Sequence, residues 1–174
     1  MTVLCDWEIK ALCEGGMVEG FAEELINPAS LDVRLGGHLM IEVADTKSFV
    51  NVDISARTEK NPYRLMPGEF CLAETQEIFH MPESVSGQFV LKSSRAREGY
   101  ENLLAGWIDP GFGLIHPARL TLELVNARRH WDLPLYPGMK IGQIVFFKMS
   151  SIPVNSYSRV GRYNGDLKVT ASKG

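Results

Sequence analysis

"ARLTLELVN", Ala118 to Asn126, alternates strictly: Leu120, Leu122 and Leu124 point one way, and Thr121, Glu123 and Val125 point the other. Period-two alternation of this kind predicts a half-buried strand with a leucine face toward the core. Periodicity alone puts Glu123 on the water side as an ordinary surface carboxylate. The stretch follows "AGWIDPGFG", a turn sequence with its own acid, glycines and aromatics, so the strand emerges from a segment rich in polar chemistry.

Outward from this strand the same signal recurs. "HLMIEVA", "EFCLAETQEIF", "GQFVLKSS" and "MKIGQIVFFKM" read as further strands, and "LGG", "NPY", "MPGE", "DPGFG" and "YPGM" read as the turns between them. Pro67-Gly68 and Pro137-Gly138 suit tight turns in which glycine takes the positive φ. The one clear helix is "CDWEIKALCEGG", with Asp6 as cap, Ile9, Leu12 and Cys13 at helical spacing, and Gly15-Gly16 as the stop. Many short strands after one helix predict an all-β sandwich or distorted barrel with a short N-terminal helix. No repeat or linker divides residues 1–174, which read as a single domain. The tail 156–174, "SYSRVGRYNGDLKVTASKG", is poor in core residues and reads on composition as a mobile segment.

The chain has 174 residues, 45% hydrophobic and 22% charged, enough for one real core. A net charge of −3 and a pI near 5.8 give no global sign of a nucleic-acid partner. "KSSRAR" and "ARRH" are local basic patches that suit either a small anionic ligand or solvated strand ends. Cys5, Cys13 and Cys71 are odd in number and widely spaced, which predicts reduced thiols in a cytoplasmic protein. The N-terminus does not read as a signal peptide, and no apolar run is long enough to span a bilayer.

Several chemistries lack their motif. His38, His80, His116 and His130 are scattered, and no H-x-E with P-C-x-x-C is present, so a catalytic zinc is not expected. A Walker A loop and G-x-S-x-G are also absent. Hydrolytic chemistry here would run on carboxylates and oriented polar groups. The polar segments at strand ends are "INPASLDVRLGG", with Asp32 and Arg34; "LKSSRAREG", with two hydroxyls and three cations; and "GWIDPGF", with Asp109 between Trp107 and Phe112. Backbone amides with Ser, Lys and Arg side chains are a common phosphate cradle.

Taken in order, these segments resemble the deoxycytidine triphosphate (dCTP) deaminase family, relatives of the trimeric dUTPases. "LCDWEIKALCEGG" is similar to the family's opening helix and "INPASLDVRLGG" to its first motif. "PGEFCLAETQEIFHMPESVSGQFVLKSSRAREG" resembles the central block that ends in R-S-S-L-A-R-x-G. "AGWIDPGF", "LTLELVN" and "LYPGMKIGQIVFF" follow in family order, and "GRYNGD" is similar to the K-Y-x-G-Q tail motif. The resemblance implies a jelly-roll-like β barrel of the dUTPase-like type, a homotrimer with active sites between subunits, and a tail that closes over the site.

It also implies roles for single residues. Glu123 matches the general acid/base, and Ser93, Arg97 and the carbonyl of Ala105 match groups that position water and orient that carboxylate. An arginine beside Glu123 would lower its pKa while burial raised it. Lys92, Ser94, Arg97 and Gln143 fall where phosphates bind, with Arg162 and Tyr163 of the tail closing over them. Asp109 matches the partner of the sugar 3′-hydroxyl. Phe112 matches an aromatic that packs on deoxyribose, with simple core packing as the alternative. Mg²⁺ is expected to ride on the triphosphate, and dTTP is implied as a feedback inhibitor.

The implied reaction is deamination of dCTP to dUTP. A bifunctional enzyme that continues to dUMP and pyrophosphate is the alternative, followed by action on a modified or monophosphate deoxycytidine nucleotide. A non-catalytic nucleotide-binding regulator is a further reading. Three departures from the family pattern stand out. "GLIHPAR", Gly113 to Arg119, is longer than the usual link, and His116 within it reads as a loop residue. The signature begins with Lys92 and carries Arg95 in place of Leu. The tail has Asn164 and Asp166 where Gln-like residues are common, and Asp166 reads as either a contact to the base amine or a group that points away.

Overall fold

The computed structural model describes residues 2–103 and 105–174. The chain begins with β1 (Thr2–Val3), α1 (Asp6–Glu14), β2 (Val18–Glu19), a 3₁₀ turn (Glu23–Leu25), β3 (Ile26–Asn27) and the long β4 (Ser30–Glu42). It continues through β5 (Phe49–Asp53), β6 (Tyr63–Leu65), β7 (Phe70–Thr75), β8 (Ile78–Phe79), β9 (Val85–Leu91) and α2 (Ser93–Glu98). β10 (Tyr100–Asn102), β11 (Trp107–Ile108), β12 (Thr121–Asn126), β13 (Leu133–Leu135), β14 (Lys140–Lys148) and α3 (Tyr157–Val160) complete it. The fold is the expected one, mainly β, with a short N-terminal helix.

One antiparallel sheet dominates, in the order β10-β12-β7-β4-β14-β9-β11, with β1, β3 and β5 attached beside it. β4 makes it curl. Its first half, Leu31 to Arg34, pairs with β14, while its second half pairs with β7 and β5. The register breaks between Leu35 and Leu39. "LGG" is therefore not a turn between strands, as its composition suggests, but a bend inside one. Glycine is required there by close approach: a Cβ on Gly36 would sit 2.5 Å from Glu74 Cγ. Bending of this kind lets one strand serve two halves of a barrel-like wall.

Inside the wall pack Leu31, Leu35, Leu39, Leu122, Leu124 and Phe146. α1 closes one side through Ile9 and Cys13. Its cap is Cys5 rather than Asp6. The Glu8 carboxylate accepts the Cys5 N–H at 3.0 Å, and Asp6 becomes the first helical residue, where its charge meets the positive end of the helix dipole. The strand read through "GQFVLKSS" ends at Leu91. Ser93 and Ser94 open α2, and Gly99 ends it in the left-handed region at φ 109°. Serine favours helix starts, and Arg, Ala and Glu sustain the turn that follows. Pro67-Gly68 and Pro137-Gly138 form the expected turns, with φ of 75° and 82° at the glycines.

The cysteines are free. Burial pushes the thiols of Cys13 and Cys71 up to about 12, so both act as packing groups. Among the described residues, no helix is long and apolar enough to cross a membrane.

At the end of β12, the buried Asn126 ties three segments together. Its Nδ2 donates to Leu65 O and Trp131 O at 2.9 Å each, and its Oδ1 accepts from Arg128 N at 2.8 Å. Asn126→Ala strands these groups in a dry environment. Urea unfolding of this variant is expected to show a loss of about 2–4 kcal/mol.

Candidate active site

β12 is held on both edges. Glu123 lies opposite Leu72 of β7, and Leu124 lies opposite Asn102 of β10. Leu122 and Leu124 are buried on one face, which leaves Thr121 and Glu123 half-buried on the other. That second face is not an ordinary solvated surface. It forms one wall of a cavity of about 510 Å³, within the range of small-ligand sites.

The opposite wall comes from "AGWIDPGF". Ala105, Trp107, Asp109 and Phe112 all border the cavity. Trp107 stacks on Phe147 with centroids 6.1 Å apart, and its indole N–H donates to Asp109 Oδ1 at 3.0 Å. This bond fixes one carboxylate oxygen of Asp109. Phe112 is buried and belongs to the core cluster, yet one side borders the cavity, so packing and lining coexist in one ring. Tyr157 meets it with centroids 5.6 Å apart.

The tail supplies the roof. Tyr157, Tyr163, Asp166 and Thr170 border the cavity. The tail docks at its start, where the buried Ser156 sits against the "DPGFG" turn and Tyr157 N donates to Pro110 O at 3.1 Å. Gly111 makes this possible, because a Cβ there would collide with Ser156 Oγ. Despite its polar composition the tail also buries Val169.

Glu123 is electrostatically unusual. Burial pushes its proton affinity above the ordinary carboxylate value, opposed only by its own backbone amide. Its Oε2 is buried with no hydrogen-bond partner among the described residues. Such an oxygen is costly to keep, and it is closed to water although Glu123 as a residue borders the cavity.

Of the expected site residues, Glu123, Ala105, Asp109, Phe112 and Tyr163 meet at this cavity. Lys92, Ser93, Ser94, Arg97, Gln143 and Arg162 do not border it. Ser93, Ser94 and Arg97 are exposed on α2, so within one chain no arginine of α2 reaches Glu123 to lower its pKa. The Lys92 ammonium is 2.6 Å from the buried Asp32 carboxylate, which Asn27 and Lys140 also approach. Gln143 Oε1 accepts from Ser30 Oγ at 2.8 Å, and Arg162 is exposed. Arg95 donates to Lys140 O and pairs with Glu98. The sequence reading missed Tyr157, Arg119 and Thr121. Arg119 borders the cavity while donating to the carbonyls of Thr75 and Gln76.

The sequence profile described as "dCTP deaminase-like" matches residues 3–149. The chain belongs to this family. A "dCTP deaminase, dUMP-forming" of Nocardia farcinica is 35% identical over 187 aligned residues, covering 98% of this chain and 90% of the relative. A protein of the same description from Methanosphaerula palustris is 36% identical over 182 residues, covering 98% and 95%. The crystal structure of 2′-deoxycytidine 5′-triphosphate deaminase from Agrobacterium tumefaciens shares the fold, with a TM-score of 0.66 and 22% identity. That match covers 83% of this chain and 47% of the Agrobacterium chain. Among the described residues, no three His, Cys, Asp or Glu side chains gather to hold a metal ion.

The raised proton affinity of Glu123 has a sign that can be checked. Burial penalises the charged form, so the site contributes stability below the unfolded carboxyl pKa and loses it as pH rises through the folded pKa. Glu123→Gln removes that loss. In urea titrations the variant is expected to be more stable than the natural chain at pH 7–8, with the difference shrinking as the pH falls through the raised pKa of Glu123 toward the ordinary carboxylate value of 4.5.

Proposed function

We propose that this member of the family hydrolyses dCTP twice, at C4 of the base and then at the α-phosphate, to give dUMP, ammonia and pyrophosphate. The observation that carries the first step is the half-buried Glu123 on the cavity wall, whose Oε2 is shielded from water and has no hydrogen-bond partner among the described residues. Cytosine C4 becomes electrophilic as N3 takes a proton. Glu123 in its protonated form gives that proton, and as carboxylate it takes one from the attacking water. The water oxygen bonds to C4, the C4–N4 bond breaks, and the proton passes by way of Glu123 to the leaving amine. One carboxyl whose proton affinity is raised by burial can serve both directions, as general acid/base catalysis requires. The backbone carbonyl of Ala105, at the same wall, orients the water.

The sugar lies against Phe112, whose apolar ring leaves no polar partner for a 2′-hydroxyl, with the Tyr157 ring packed at a tilt beside it. Asp109, with one oxygen held by Trp107, offers the other to the 3′-hydroxyl. For the second step a water beside Asp109 attacks the α-phosphorus and the bond to the β-phosphate oxygen breaks. The description "dUMP-forming", borne by relatives aligned over nearly the whole chain, favours this second hydrolysis over release of dUTP. Mg²⁺ carried by the triphosphate would offset part of its negative charge. The carboxylates bordering the cavity fit a metal carried by the nucleotide, because Asp166 is paired to Lys173 and Asp109 is bound to Trp107.

Ser93, Ser94, Arg97 and Gln143 form the phosphate cradle, with Arg162 from the tail. Within one chain they stand apart from the Glu123 cavity, so the reading requires a second copy to bring its α2 to the open side, as in a homotrimer. There Arg97 and Ser93 would orient Glu123 and its water. Lys92, held by Asp32, contributes mainly by fixing the start of α2. A thymidine triphosphate would fill the same cavity with a carbonyl at C4 and nothing to lose, and so act as inhibitor.

Product analysis with dCTP and Mg²⁺ is expected to give ammonia, pyrophosphate and dUMP in equal amounts. Accumulation of dUTP without pyrophosphate would sink the second step. Glu123→Gln is expected to lower ammonia release by about 10²–10⁴-fold with dCTP affinity nearly kept. Wild-type deamination by this variant would overturn the assignment of the acid/base.

A further inference from the structure

The loop Gly113–Arg119 is bonded along its length to residues 164–166 of the tail. Asn164 joins them: its Oδ1 accepts the Gly113 N–H at 3.1 Å, while its Nδ2 donates to Tyr157 O at 2.8 Å and Gly161 O at 3.3 Å. Gly165 N donates to His116 O at 3.0 Å, and Arg119 N donates to Asp166 O at 2.8 Å. The loop therefore offers main-chain partners at three places, and the tail answers at Asn164, Gly165 and Asp166. Gly113 holds a left-handed conformation at φ 68°, where a Cβ would collide with Phe79 O. The loop is thus anchored to the barrel as well as to the tail.

A second attachment lies a few residues later. The Val169 N–H donates to Glu74 Oε2 at 2.8 Å, and the Thr170 N–H donates to Thr121 Oγ1 at 3.4 Å. Glu74 is buried, its other oxygen is 2.8 Å from His38 Nδ1, and it lies opposite Thr121 across β7 and β12. The tail lands on the same face of β12 as Glu123, two residues away. The charge of Asp166 is spent within the tail, on Lys173 Nζ at 2.7 Å and Thr170 Oγ1 at 3.0 Å. Tyr163, just ahead of the first attachment, is bracketed by Tyr157 Oη and the Lys173 N–H.

We propose that the Gly113–Arg119 loop is a clasp that holds the tail closed over the cavity before nucleotide arrives, with Asn164 as the positioning residue that seats Tyr163. This rests on the reading of the cavity as the nucleotide site. A tail ordered in advance lowers the entropic cost that binding must otherwise meet, so the clasp acts on substrate affinity rather than on the chemical step. A bound nucleotide supplies its own contacts and restores closure when the clasp is lost.

Asn164→Ala is therefore expected to raise KM for dCTP about tenfold and to change kcat less than twofold, a split that a general loss of folded protein does not produce. Without nucleotide, trypsin is expected to cut after Arg159, Arg162 and Lys168 about tenfold faster in this variant than in the natural chain, and saturating dCTP is expected to suppress the difference. Asn164→Leu, which removes the same bonds while keeping the side-chain volume, is expected to move both readouts the same way and provides a second test should Asn164→Ala not fold. Unchanged proteolysis in both variants, or a fall in kcat at constant KM, would overturn the clasp. Faster proteolysis in a protein that turns over no dCTP would support the clasp and sink the functional reading instead.

Discussion

A carboxylate kept half-buried with one oxygen unbonded is the constraint around which the site is organised. Leaving a polar atom dry and unpaired costs roughly 1–3 kcal/mol, more if the group is charged. The barrel tolerates this at Glu123 because β12 cannot move: β7 and β10 flank it, and Leu122 and Leu124 fill the core behind it. A slip of one residue would drive Glu123 among the leucines and put a leucine in the cavity. The alternation that makes β12 a strand is thus the device that aims the acid.

Comparison with the other buried acids sharpens the point. Asp32 has Lys92, Lys140 and Asn27 around it, and Glu77 has the guanidinium and backbone amide of Arg34. Glu74 has His38 and the Val169 amide. Each is satisfied by partners from other elements, which is the usual condition for burial. Glu123 Oε2 is the exception among the buried carboxylate oxygens of the described residues. An acid this poorly compensated is a structural expense, and it makes sense where a ligand completes the hydrogen bonding. Asp32 also accounts for the Lys in the signature block: a compact ammonium fits a point contact to a buried carboxylate, where the forked guanidinium of Arg would demand more partners.

Much of the architecture was legible in local pattern. Period-two runs identify the long strands, and Pro67-Gly68 and Pro137-Gly138 identify turns whose glycine φ is positive. What failed were boundaries set by tertiary contact. "LGG" looks like a turn, but the approach of Glu74 makes it a bend within β4. Cys5 caps α1 because Glu8 folds back onto its amide, a reciprocal contact that composition does not reveal. "KSS" looks like a strand end, yet the serines open α2. At the site, the face of Glu123 was misread by periodicity, since alternation distinguishes two faces and does not say whether the outer one meets water or a cavity. Motif order placed Asp109, Phe112 and Tyr163 beside Glu123. It could not show that α2 stands apart in a single chain, because spacing along the sequence carries no distance in space. Tyr157 carried a weak signal, an aromatic six residues before Tyr163 in a polar tail, and Arg119 carried none.

The departures in the loop and tail gain a common physical account from these contacts. An extended loop, an Asn and an Asp look like three unrelated changes when read along the chain. In space the Asn amide spans from Gly113 to Tyr157 and Gly161, and the Asp backbone carbonyl takes the Arg119 amide while its side chain is neutralised by Lys173. An unpaired acid beside a triphosphate would repel it, so the Lys173 partner is what makes Asp166 compatible with the proposed nucleotide site. The loop in turn would expose the amides of Gly113 and Arg119 if the tail were elsewhere. Each change supplies what another lacks, and that reciprocity is why they belong to one structural unit on the rim of the Glu123 cavity.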